Sequence, residues 1–150
     1  MLRFRSVALA AVRLSYSFAE YARFERDARE RHEFVGGLIL AMAGGTLEHS
    51  RLAAAVTASL AAQLRGRPCV VLESNARVRV LETGNAFYPD GTVVCDAMER
   101  DAEDALSLTN PAVLIEVLRP STAEYDRTDK LADYRTRIHS PREPDPGSPA

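Results

Sequence analysis

Hydrophobic and polar positions change their spacing several times along the chain, and each change predicts an element. Ser17 and Glu20 form a capping box ahead of apolar residues at helical spacing. This pattern predicts a helix that ends near Arg31. Two short apolar runs then flank Gly36-Gly37, a pair typical of a tight turn, so residues 33–42 are predicted to form a β-hairpin.

A long second helix is predicted after the hairpin. Thr46 can cap its first turn, and Gly66 is the expected stop. Apolar residues recur along it at helical spacing, and this stripe is predicted to be a core face. The stripe consists of Leu52, Val56, Leu60 and Leu64.

The pattern becomes typical of β-structure beyond Pro68. The remaining predicted elements are strands at 69–72, 76–81, 88–95 and 112–118, an acidic loop at 96–104 and a last helix at 126–137 with Leu131 and Tyr134 inward. Strict alternation in the second of these strands predicts an exposed face that carries Arg77 and Arg79. The last strand is nearly all apolar, as a central strand covered on both faces should be.

The order of elements predicts an α/β fold with a mixed sheet flanked by helices, in one domain at residues 14–138. Residues 1–13 are read as an N-terminal extension. Their apolar run, Val7–Val12, is too short for a signal peptide. Residues 139–150 are rich in proline and poor in large apolar residues, so a disordered tail is expected. No apolar run approaches the roughly 20 residues that a bilayer requires.

Charge and cysteine content narrow the function classes. Residues 1–81 hold 12 arginines against 7 acidic residues, a net charge of +5, whereas residues 82–150 have a net charge of −7. A nucleic acid would therefore find its phosphate contacts mainly on the first half. Cys69 and Cys95 are too few for a disulfide framework or a zinc site, and a reducing cytoplasm is the expected location.

Four residues could support metal-dependent chemistry. Glu116 is the one charged residue in an apolar strand, and Asp90 stands at the start of a neighbouring strand pattern. Two such carboxylates suit Mg²⁺, which takes one or two protein carboxylates together with water and phosphate oxygens. Lys130 is the only lysine of the chain and lies on the helix after Glu116, and Glu33 is a third acid that could complete the site.

Each of these residues also has a structural interpretation. Asp90 follows a proline, as turn residues often do. Glu116 and Lys130 could form a buried ion pair, and Glu33 could simply end the first helix. His49 is read as a residue with a local hydrogen bond, or as one that touches a DNA phosphate, rather than as a catalytic group.

A series of motifs resembles the Uma-type putative restriction endonuclease family, which has the PD-(D/E)XK nuclease fold. The resemblance runs from about Tyr16 to Ile138. The motifs are RHEFVGG (31–37), AMAGGTLEH (41–49), GRPC (66–69), YPD (88–90), IEVLRPST (115–122) and YDRTDKLADY (125–134). No single motif is specific, but their order and spacing are.

The resemblance implies a Mg²⁺-dependent endonuclease that hydrolyses DNA, with Mn²⁺ as an alternative metal. Asp90 and Glu116 would be the metal ligands. The lysine of the motif would fall at Leu118, so the resemblance implies that its role has moved to Lys130 on the next helix. Glu33 matches the acid near the end of the first helix, and it would be a fourth catalytic residue.

The chain also departs from the family pattern. Arg119 stands where the family usually has serine, and the family continues with further sheet where this chain becomes rich in proline. The C-terminal edge of the sheet is therefore expected to be missing, and a homodimer could form through the unpaired edge. The alternative function is a catalytically silent nuclease-fold remnant that at most binds nucleic acid or a protein partner.

Overall fold

The computed structural model describes residues 15–120 and 123–138. The helices are α1 (Phe18–Asp27), α2 (Leu47–Gln63), α3 (Ala123–Tyr125) and α4 (Leu131–Ile138), and a π-helical turn, Asp126–Lys130, joins the last two. The strands are β1 (His32–Val35), β2 (Leu38–Ala41), β3 (Cys69–Glu73), β4 (Arg77–Arg79), β5 (Ala86–Phe87), β6 (Gly91–Cys95), β7 (Ser107–Leu108) and β8 (Val113–Ile115). The predicted extension and tail lie outside the described residues.

The α/β class is confirmed, but the strands divide into two sheets. The first has the order β2-β1-β5-β4-β7, in which β4 and β7 are parallel and the other pairs antiparallel. The second is antiparallel, with the order β3-β6-β8. Only Tyr88-Pro89-Asp90 separates β5 in one sheet from β6 in the other. Asp90 therefore lies where the chain crosses between the sheets.

The predicted first helix and hairpin are confirmed. Ser17 and Glu20 form both hydrogen bonds of the capping box at the start of α1. The helix ends at Asp27, four residues before the predicted end. Gly36 and Gly37 have φ of 56° and 82°, values that glycine adopts without steric cost. The hairpin places Glu33 in the first strand of the molecule.

The core consists of small clusters rather than one large one. Tyr21 of α1 stacks on Phe34 of β1 with ring centroids 5.1 Å apart. On the other side, Tyr134 of α4 meets Phe87 of β5 edge to face, with Val80 beside them. These aromatic contacts fix α1 and α4 against the five-stranded sheet.

Two apolar faces that were predicted to lie in the core are not fully buried. Within the described chain, α2 has no buried residue, and Leu52 and Val56 are each 39% exposed. The predicted strand at 112–118 is likewise neither central nor fully covered: among the described strands β8 pairs with β6 only, and Val113 is 47% exposed. α2 lies against β3, but this contact leaves both apolar stripes partly exposed.

Arg77 is buried, which corrects its predicted exposure. Its guanidinium pairs with Asp104 and also donates to Ser107 Oγ at 2.8 Å. Alternation along β4 could not reveal that an acidic loop would fold over its charged face.

The last helix corrects one further prediction. Leu131 was expected to point inward but is 37% exposed, whereas Tyr134 is buried as predicted.

Cys69 and Cys95 form a disulfide, which corrects the expectation that they have no such role. They lie directly opposite one another on β3 and β6. Their 26-residue separation gave no sign of this, because the pairing depends on the register of two strands.

Arg77→Ala should lower the free energy of unfolding by about 3–5 kcal/mol, because the substitution leaves the buried Asp104 carboxylate without its cation. Urea denaturation would measure the change. Arg51→Ala is the matched control, since the Arg51–Glu48 pair is exposed and its loss should change stability little. Equal effects from both substitutions would contradict this account of Arg77.

Candidate active site

Lys130 is the centre of the candidate site. Its Nζ lies 2.7 Å from Glu33 Oε1, and 3.5 Å from both Glu116 Oε1 and Asp126 Oδ1. The residue is 5% exposed. Glu33 comes from β1, Glu116 directly follows β8 and Asp126 begins the π-helical turn, so three separate elements supply the carboxylates.

Glu116 is held from two sides. Its Oε1 accepts a hydrogen bond from the Tyr134 hydroxyl at 2.6 Å, in addition to its contact with Lys130. Burial raises its pKa to about 7, with Lys130 and the Tyr134 hydrogen bond opposing the shift and Asp90 adding to it. Burial beside Glu116 also raises the pKa of Tyr134, so its hydroxyl remains a donor near neutral pH.

Asp90 binds the segment that follows β8. Its Oδ2 accepts a hydrogen bond from the Val117 backbone N–H at 2.7 Å. The same oxygen lies 3.1 Å from Nε2 of His49, whose side chain is 10% exposed on the first turn of α2. Because Val117 directly follows Glu116, this hydrogen bond keeps Asp90 close to Glu116, and the two carboxylates interact electrostatically.

The cluster contains three carboxyl groups and one ammonium group. Burial raises the pKa of Glu33, although the neighbouring Lys130 ammonium lowers it in part. Burial by itself would lower the pKa of Lys130, but Glu116 and Glu33 outweigh that effect and raise it. One ammonium thus faces three carboxyl groups, and a further cation nearby would favour the ionised forms of Glu33 and Glu116.

A buried hydrogen-bond chain supports the strand that carries Glu33. The Arg77 guanidinium donates to the Tyr88 hydroxyl at 3.2 Å, and that hydroxyl donates to Glu25 Oε1 at 3.0 Å. Glu25 in turn accepts the backbone N–H of His32 at 2.9 Å. His32 immediately precedes Glu33, so α1, β4 and the approach to Asp90 together fix the position of that acid.

The structure brings Glu33, Glu116 and Lys130 into direct contact. Asp90 is joined to them through Val117 rather than through Lys130. Sequence reasoning missed Asp126 and Tyr134, although both are four residues from Lys130 and so lie on its helical face. It also missed the contact of His49 with Asp90, for which no local pattern exists.

The carboxylate oxygens of Asp90 and Glu116 are of the type that binds Mg²⁺. Within the described residues, the hydrogen bonds to Asp90 and Glu116 end on one oxygen of each carboxylate, Oδ2 and Oε1. Two carboxylates with water and phosphate oxygens are a usual environment for this ion. No group of three or more His, Cys, Asp or Glu residues that could hold a metal occurs in the part of the chain that the structure describes.

Three cavities lie beside the candidate residues, and neighbouring cavities share a lining residue. One of about 190 Å³ is lined by Glu33, Asp126, Lys130 and Arg119. Arg119 also lines a second, of about 300 Å³, which reaches His49. His49 in turn borders a third, of about 280 Å³, together with Asp90. A further cavity of about 600 Å³, between α1 and the hairpin, contains none of the candidate residues.

Comparison with known proteins places the chain in a family. The model of the Uma2 family, described as putative restriction endonucleases, matches residues 18–142. The chain belongs to this family. Two Synechocystis relatives are both uncharacterised: slr1290 is 35% identical over 122 residues, 81% of this chain and 62% of its own length. The other, sll1609, is 32% identical over 118 residues, 79% of this chain and 67% of its own.

A solved structure shares the fold. The crystal structure of a putative nuclease belonging to DUF820 from Anabaena variabilis matches with a TM-score of 0.65 at 16% identity. The match covers 79% of this chain and 68% of that protein. This chain therefore spans about two thirds of the length of the Uma2 relatives and of the solved structure. Among the described helices, none is long and apolar enough to cross a membrane.

Glu116→Gln should stabilise the protein at alkaline pH. The pKa of Glu116 is about 7 in the folded chain and about 4.5 when unfolded, so its ionisation destabilises the fold as the pH rises through this interval. The amide avoids that cost, and we expect a gain of about 1–3 kcal/mol at pH 8 that disappears near pH 4.5. Urea denaturation across this pH range measures it.

The control for that comparison is Glu124→Gln, which neutralises an exposed carboxylate on α3, away from the candidate site residues. Its stability should follow that of the unsubstituted chain at every pH. A Glu116→Gln protein that is less stable at pH 8 would show that attraction to Lys130 outweighs the cost of burial.

Proposed function

We propose that this chain is a Mg²⁺-dependent endonuclease that hydrolyses phosphodiester bonds of DNA. The observation that supports it is the contact of Lys130 with Glu33 and Glu116 beside Asp90. Membership of a family described as putative restriction endonucleases supports the same activity. In this proposal the two sheets are the described part of a restriction-endonuclease-like fold.

Asp90 and Glu116 would hold Mg²⁺, which would polarise the scissile phosphate when bound. Tyr134 and the Val117 N–H orient these carboxylates, because each donates to one oxygen and leaves the other oxygen without that bond. His49 restrains Asp90 from the side of α2. The acids are thus held in place before any ligand arrives, which reduces the cost of binding.

Lys130 would orient the attacking water and stabilise the charge that develops on the phosphate oxygens. A buried ammonium is effective in this role because the low dielectric strengthens its interactions. Glu33 keeps the ammonium in place at 2.7 Å, so the amine is directed without a large loss of side-chain entropy during the reaction.

A catalytically silent protein that binds nucleic acid is the second candidate. The observation that favours it is that Lys130 already has three carboxylate partners, and that no group of three potential metal ligands occurs within residues 15–120 and 123–138. Such a protein would bind DNA but leave it intact with any metal.

Supercoiled plasmid should be nicked by the purified protein with Mg²⁺ or Mn²⁺, and EDTA should stop the reaction. Asp90→Asn should reduce the rate by at least about 100-fold, since a hard cation loses an anionic ligand. Glu124→Gln serves as the control and should nick normally. If the unsubstituted chain leaves plasmid intact with both metals, and so does a family member of full length, the endonuclease proposal is wrong.

Lys130→Arg separates the role of the amine from that of its charge. Arginine keeps the positive charge but replaces a compact donor with a broad planar fork. We expect hydrolysis to fall by about 100- to 1,000-fold, while Mn²⁺ binding measured by calorimetry remains. Hydrolysis at the normal rate would show that Lys130 contributes only charge.

A further inference from the structure

Arg119 lines two of the three cavities beside the candidate residues. One of them is also lined by Lys130 and Asp126, and the other by His49 and Thr46. The residue comes three positions after Glu116 on the same segment. Its location therefore places a second cation at the site, in addition to Lys130.

The contacts of Arg119 orient its guanidinium. Its Nη1 donates to two backbone carbonyls in the loop between β2 and α2, at 2.9 Å to Ala43 and 3.0 Å to Gly44. Its Nε is buried and has no hydrogen-bond partner in the described chain. The loop thus uses Nη1, and Nη2 is the nitrogen that retains donor capacity, since none of the hydrogen bonds found among the described residues involves it.

The charge balance distinguishes Arg119 from Lys130. Lys130 is shared among three carboxylates, so much of its charge is already compensated. None of the ion pairs found among the described residues includes Arg119. A phosphodiester that enters a cleft with an excess of carboxylates needs a cation of this kind, because repulsion would otherwise oppose its binding.

We propose that Arg119 binds a backbone phosphate of the nucleic acid through Nη2, in a charge-assisted hydrogen bond. Nη1 stays with the loop and preserves the orientation of the guanidinium. The inference rests on the proposed nuclease function, since it names the residue that receives the phosphate. Lys130 and Arg119 then have separate tasks, one at the reacting atoms and one at the backbone.

Salt dependence of binding tests this role. We would measure the anisotropy of a fluorescent DNA duplex with Ca²⁺ in place of Mg²⁺, over about 50–200 mM salt. Arg119→Gln keeps an amide that can donate to the loop carbonyls but removes the charge. It should bind several-fold more weakly, with the slope of log K against log salt smaller by about one. Arg119→Lys should retain the slope.

Arg100→Ala is the matched control, because Arg100 also donates to a backbone carbonyl, that of Ala105, but lines none of the three cavities. Its slope should equal that of the unsubstituted chain. An unchanged slope for Arg119→Gln would overturn the inference and leave Arg119 as a support for the loop. If the unsubstituted chain binds no DNA, both the proposed function and this inference are wrong.

A second measurement uses only the unsubstituted chain, and so it still tests the phosphate contact if Arg119→Gln fails to fold. A dicarbonyl reagent specific for guanidinium groups would be applied to the unsubstituted chain with and without DNA, and the modified arginines identified by mass spectrometry. Bound DNA should protect Arg119 and leave Arg100 reactive. Equal modification of Arg119 in both samples would contradict a phosphate contact.

Discussion

The burial of one ammonium among carboxylates from different elements is the constraint on which the site depends. A cation that is 5% exposed is tolerated only when its charge is compensated locally. Glu33, Glu116 and Asp126 provide that compensation from β1, the end of β8 and the π-helical turn. The hairpin, the three-stranded sheet and the C-terminal helix must therefore meet at Lys130, and the position of each is coupled to the others.

The short crossing between β5 and β6 links the two sheets at this place. Pro89 is fully buried, and the Asp90 side chain bonds the backbone just after β8. Tyr88, which precedes Pro89, is hydrogen-bonded to Arg77 and to Glu25 and so connects the crossing to β4 and α1. A polar network whose members have hydrogen-bond partners in this way is rigid, which suits groups that must be held ready for a ligand.

Sequence alone predicted the parts of the fold that depend on local chemistry. The capping box at Ser17 and the Gly36-Gly37 turn need only neighbouring residues, and both form as expected. The exposure of the apolar stripe on α2 and the burial of Arg77 depend on distant segments, which no spacing along one element reveals. The contacts of Lys130 with Glu33 and Glu116 also join residues far apart in sequence. Lys130 was singled out because it is the only lysine of the chain and because it lies in one of the family motifs.

The disulfide makes part of the chain a closed ring that contains β4, β5 and Asp90, whereas Glu33, Glu116 and Lys130 lie outside it. A single break in the exposed turn at residues 81–83 would open this ring without separating the chain into two molecules. The segment with Asp90 would still be attached to β3 through sulfur. Under reducing conditions the same break would yield two fragments, held together only by strand pairing and side-chain contacts.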